Sequence, residues 1–288
     1  MRYTNHMKIK LLLITALILS SFGMLYHFSA QDSEIADTEG VFIKDMFAVT
    51  EADRYIGTEN AVELFFEPAQ GDYTIDRGGR YLLRGELQGT LYVSAEDQHV
   101  HLILDDVAIT GSNGPAVSVL SAGKVFLTSL EGSINSLGDS AAYELGRNET
   151  ACIYSTADLT VNGTGQLLIT GLYEDGVHCR DTLKILCSNL KVQSKRDCLK
   201  GNDGVLIQGD NIVLEAERNG IRTIDSGNDV RGDVEIRDAD LSVIAGSYCV
   251  NAASDFYVHQ SQCFFKGILD TYKVVGEVFL EEGCLSHA

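Results

Sequence analysis

The chain has 288 residues and carries 41 acidic against 22 basic side chains, a net charge of −19. A surface so negative repels nucleic acid and anionic membrane and attracts divalent cations. With 28 glycines, two prolines, no tryptophan and little helical patterning, the composition points to many short strands joined by tight turns.

The first element is a targeting segment over residues 1–30. Arg2, Lys8 and Lys10 precede the apolar run LLLITALILSSFGML, and YHFSAQDSE follows. That order reads as a signal peptide cleaved after Ala30 or as an uncleaved anchor, so the rest of the chain is expected outside the cytoplasm, secreted or at the cell surface. A membrane is expected to matter only through this segment. Without it, 41 acids face 19 bases, a net charge of −22. Residues 31–60 show no repeat and read as a linker and lead-in, with a weak helical pattern near Asp45–Tyr55. The repeating region then runs over 61–284.

That region keeps a beat of 22 residues. EDGVHCRD at 174–181 returns as RDCLKGND at 196–203 and as RNGIRTID at 218–225. Aligned on Asp175, Asp197 and Asn219, the coils place Val177, Leu199 and Ile221 in one column. Leu183 matches Val205 and Val234, and Ile185 matches Ile207 and Ile236. Leu190, Ile212 and Leu241 form a third set, followed by Val192, Leu214 and Val243. SGNDVRG at 226–232 is an insertion. A fixed period near 22, with two or three alternating apolar runs per coil and no leucine-rich signature, predicts a single-stranded parallel β-helix. Stacked strands lie about 4.8 Å apart, so Cys152, Cys198 and Cys249, each two coils from the next, stand about 9.6 Å apart, too far to bridge. Most of the seven cysteines are therefore expected to be free packing residues.

Two kinds of polar column follow from the register. Asp175, Asp197 and Asn219 stack at one position, and Asp181, Asp203 and Asp225 stack six residues on. Calcium, which takes six to eight oxygen ligands, would offset the repulsion within them. The competing reading is that these acids cap turns by accepting backbone N–H bonds. Between the acid columns, strand alternation turns Tyr154, His178, Lys200, Arg222 and Asn251 outward. Such a stripe suits a long polar polymer bearing carboxylates. An ordinary solvated face is the plainer reading.

GRYLLRGELQGTLYVSAEDQHVHLILDDVAITGSNGPAVSV (79–119), LEGSINSLGD (130–139), CIYSTADLTVNGTGQLLITG (152–171) and EDGVHCRDTLKI (174–185) together resemble a bacterial cell-surface carbohydrate-binding family. The resemblance covers about residues 60–282. It implies a right-handed parallel β-helix akin to the lyases that cut pectate, with polygalacturonate-like or other plant polysaccharide as partner and calcium as cofactor. Departures from the family pattern occur at Thr182, Cys198, Asn219 and Ala157, where an acid, a glycine and two further acids are expected. The metal role therefore carries over only to Asp175, Asp181, Asp197, Asp203 and Asp225.

Three functions fit these residues. The first is a non-catalytic, calcium-dependent module for acidic polysaccharide. The second is a pectate-lyase-like eliminase, with Lys200 or Arg222 as the base that removes the proton beside a uronate carboxylate. The third is a rod-like structural or adhesive surface protein with no ligand. No catalytic motif is visible, so the chain reads as a binder before an enzyme.

Overall fold

The computed structural model describes residues 47–224 and 232–287. The leader, residues 31–46 and Asp225 lie outside them. From Val62 onward the chain winds into a parallel β-solenoid of about nine turns, each about 23 residues long. Its period is one longer than the central beat because corner insertions lengthen several coils.

Each coil lays down three strand runs, so the solenoid has three long faces. The coil that begins at Asp175 shows the plan. Asp175–Cys179 lies on the first face, Thr182–Cys187 on the second and Leu190–Ser194 on the third. Parallel pairing carries the first-face column through Val117, Ile153, Val177, Leu199, Ile221 and Val250. On the second face Leu159, Leu183, Val205, Val234 and Phe256 align. On the third, Leu167, Leu190, Ile212, Leu241 and Cys263 do. These side chains are fully or almost fully buried and form one continuous core. The apolar columns expected from the beat of 22 are the ones observed, because a strand that slips one residue would turn its whole apolar set to solvent.

The corners explain how so regular a chain turns. Between the second and third faces Asn189 and Asn211 adopt positive φ, 59° and 54°. Asparagine tolerates this left-handed geometry better than most residues, and the Asn211 amide donates to the Asn189 side-chain oxygen at 2.9 Å. Inside the core, Cys152, Gly176, Cys198, Gly220 and Cys249 alternate along the axis. A Cβ at Gly176 would lie 2.7 Å from the Cys198 carbonyl oxygen, and one at Gly220 the same distance from that of Cys249. Glycine is thus required between the cysteines, which keeps them two coils apart. All seven cysteines are buried free thiols.

Two segments depart from the repeat. Residues 47–60 cross the outside of the second face and include one helical turn, Glu51–Arg54, capped by Thr50. Residues 139–150 leave the third face and fold over the first. Among the described residues, no helix is long and apolar enough to cross a membrane.

Candidate functional site

The outward column of the first face is in register across the coils. Ser118, Tyr154, His178, Lys200, Arg222, Asn251 and Lys273 are successive partners. The structure therefore brings together all five residues expected to form the stripe. It does not leave them equally open. Tyr154, His178 and Lys200 are only 6%, 8% and 9% exposed, whereas Arg222 and Asn251 are half-buried and Lys273 is exposed.

Over the Ser118 and His178 coils the cover is the 139–150 loop, which no period in the sequence announces. Arg147 donates to the Tyr92 hydroxyl at 2.8 Å. Ser118 donates to Glu149 at 3.2 Å, and the Thr150 hydroxyl lies 2.9 Å from His178 Nδ1. Tyr143 anchors the loop by donating to Asp139 and to the Ala151 carbonyl, both at 2.8 Å. It also stacks on Tyr173 at 4.2 Å. Tyr173 itself remains partly exposed beside Leu172.

Beneath the open half of the stripe sit Asp175 and Asp197, both fully buried. Each accepts a backbone N–H from the next coil: Asp197 N–H donates to Asp175 Oδ1 and Asn219 N–H to Asp197 Oδ1, both at 3.2 Å. Capping of the following coil, the alternative weighed for these acids, is thus present. Their charge is met by bases of the stripe. Lys200 Nζ stands 3.7 Å from Asp175 Oδ2, which has no hydrogen-bond donor. Arg222 lies 3.3 Å from Asp197 Oδ2, and Arg196 bridges Glu174 at 2.5 Å.

The electrostatics follow from this burial. Desolvation, reinforced by the Asp197 carboxylate, pushes Asp175 up to about 6. Desolvation lowers Lys200 from its ordinary value against the pull of Asp175. Desolvation and the Lys200 ammonium hold His178 down at about 4, so it is a neutral ring at neutral pH. A guanidinium has five N–H donors, and Asp197 engages one nitrogen of Arg222. Arg222 is therefore a fixed cation with donors to spare.

The second acid column is different. Asp158, Asp181 and Asp203 are half-buried at the corner between the first and second faces. Burial, then Asp158 and Asp203, push Asp181 up to about 6. Among the described residues, no group of three or more His, Cys, Asp or Glu is close enough to hold a metal ion. The chemistry of the two columns nevertheless separates them. Asp175 and Asp197 already have cationic side chains and backbone donors, so they do not suit calcium. At Asp181 the carboxylates of Asp158 and Asp203 are close, and Asp158 and Asp181 each accept the Thr182 backbone N–H at 3.1 Å.

Comparison with known proteins agrees with the fold. The chain matches the family described as "Carbohydrate-binding domain-containing protein" over residues 69–266. A relative from Acetivibrio thermocellus with the same description is 33% identical over 97 residues, 32% of this chain and 34% of that protein. The match thus spans about a third of that relative's length. The solved "Structure of the polysaccharide lyase-like protein from C. thermocellum, Gadolinium derivative" has the same fold, with a TM-score of 0.74 over 78% of this chain and 99% of that one at 24% identity. With the family match covering more than half of its length, the chain belongs to the carbohydrate-binding domain-containing protein family.

Proposed function

We propose that the protein acts outside the cytoplasm as a calcium-dependent binding module for acidic, polygalacturonate-like polysaccharide. Its ligand lies along the open part of the first face, over Arg222, Asn251 and Lys273. The observation that carries this reading is a column in which three of four successive outward residues are bases, with Asn251 between Arg222 and Lys273. Lys200, Arg222 and Lys273 share one outward column, and Asp197 holds Arg222 in place. Bases repeated along a rigid axis suit a polymer whose carboxylates also repeat. Calcium belongs to the Asp181–Asp203 corner, where it would relieve like-charge repulsion and link protein carboxylates to those of the polymer. Arg222→Gln with Lys273→Gln should weaken binding of polygalacturonate at least tenfold with the fold intact by circular dichroism. Unchanged affinity would reject this face as the site.

One observation favours a second reading. Lys200 is held below its ordinary range by burial, which suits a base that abstracts a proton. An eliminase would generate ultraviolet absorbance from unsaturated uronate ends during incubation with polygalacturonate. A binding module leaves that absorbance flat.

A further inference from the structure

The outward column of the second face lies under a segment of the chain's own. Arg80, His101, Phe126, Thr160, Lys184 and Leu206 follow one another in register. Arg237 stands one coil beyond Leu206, two residues past its register partner Glu235. Phe126, Thr160 and Leu206 are almost wholly buried, and what buries them is the chain's own segment 47–60.

That segment runs against the direction in which the coils accumulate. Arg237 donates to the Phe47 carbonyl at 2.9 Å and Lys184 to that of Ala48 at 2.6 Å. At the other end Arg80 donates to the Glu59 carbonyl at 2.9 Å. In the middle Asp53 is fully buried. Its carboxylate lies 2.5 Å from Lys124 and 3.2 Å from Lys184. It accepts from the Thr160 hydroxyl at 2.6 Å, and the Asn162 amide donates to the Asp53 carbonyl oxygen at 2.8 Å. Burial alone would raise this acid, yet the donors, Lys124 first, hold it well below the usual carboxylate range. Tyr55 closes the upper end, under the Arg80 guanidinium at 4.2 Å and edge-on to His101.

We propose that this face is a second recognition surface for acidic polysaccharide and that residues 47–60 are its built-in occupant, with Asp53 standing where a uronate carboxylate of the ligand sits. The surface beneath has the composition such a ligand needs. Two lysines and a hydroxyl converge on one carboxylate, and an amide holds the backbone carbonyl of the same residue. Beside them His101 and Phe126 stack face to face at 4.2 Å and 17°, so each ring takes up a face of the other. Membership of a carbohydrate-binding family favours a glycan over an acidic peptide. The proposal shares a ligand class with the first face but none of its residues, so the two fail separately.

The test uses the full chain carrying Asp53→Asn, in the wild-type background and in the Arg222→Gln/Lys273→Gln background. Hydrogen exchange reads the 47–60 amides, and calorimetry reads affinity for polygalacturonate. The expected result is exchange at 47–60 at least tenfold faster, with at least tenfold tighter binding that persists in the background lacking the first-face bases. Loosening without gained affinity would overturn the proposal, as would no loosening. If only a synthetic peptide of residues 47–60 binds the loosened protein, the face is a peptide seat and the proposal also fails. Should Asp53→Asn not fold, wild-type protein with excess polygalacturonate decides. Faster exchange at 47–60 on adding the polymer supports displacement, and unchanged or slower exchange overturns it.

Discussion

Asp181 and His178 lie three residues apart and respond to acid in opposite senses. The folded state raises Asp181 from 3.8 to about 6, so its contribution to stability is fully present below 3.8 and is lost as pH rises through 6. Asp175 behaves the same way, for the same reason of burial. His178 and His101 are depressed from 6.5 to about 4. Their contribution is present above 6.5 and is lost as pH falls through 4. Between pH 6.5 and 4 the two acids gain what the two histidines lose. Asp181→Asn removes one of the gaining groups, so the Tm of the variant should fall more steeply on acidification across this window than that of wild type. Superimposable pH profiles would show that Asp181 is not perturbed. These shifts could not be read from sequence. The stacking of Asp181 on Asp203 was legible from the period. The burial of Asp175 and its pairing with Lys200 were not, because they depend on side chains packed from the neighbouring coils.

At the scale of the coil, the alternation of cysteine and glycine makes a sharp prediction. Gly176→Ala would place a methyl group against the Cys198 carbonyl and the Val192 side chain. It should cost about 1–3 kcal/mol, as overpacking in a dense core does, and calorimetric or denaturant unfolding would measure it. A neutral effect would mean that adjacent coils can part locally. The columns themselves were legible because equal spacing in sequence becomes equal position in space. The 139–150 loop was not. Its anchors are Arg147 to Tyr92, 55 residues away, and Thr150 to His178, 28 residues away, and its own sequence follows no period. As a result, Tyr154 and His178 fall on the expected face but lie beneath a cover. In the lead-in only the helical pattern near Asp45–Tyr55 was legible, where the turn Glu51–Arg54 forms. Asp53 meets Thr160 across 107 residues, a pairing that no local pattern announces.

For the whole molecule, a net charge of −19 and an acid column at one corner set the response to cations. A ligand that binds only the native state stabilises it by RT ln(1 + [L]/Kd), about 2.7 kcal/mol at a hundredfold excess over Kd. Calcium should therefore raise the Tm by several degrees and excess chelator should reverse the gain. Asp181→Asn with Asp203→Asn should abolish the response, whereas substitution of Asp175 should not. An unchanged Tm in calcium and in chelator would remove the cation from the account. The most direct test of the central claim is calorimetric titration of polygalacturonate into the full chain in calcium and then in chelator, with ultraviolet absorbance followed on the same samples. Saturable heat is expected in calcium, with loss of that heat in chelator and flat absorbance. Absence of heat in both conditions, or absorbance that rises with time, would contradict it.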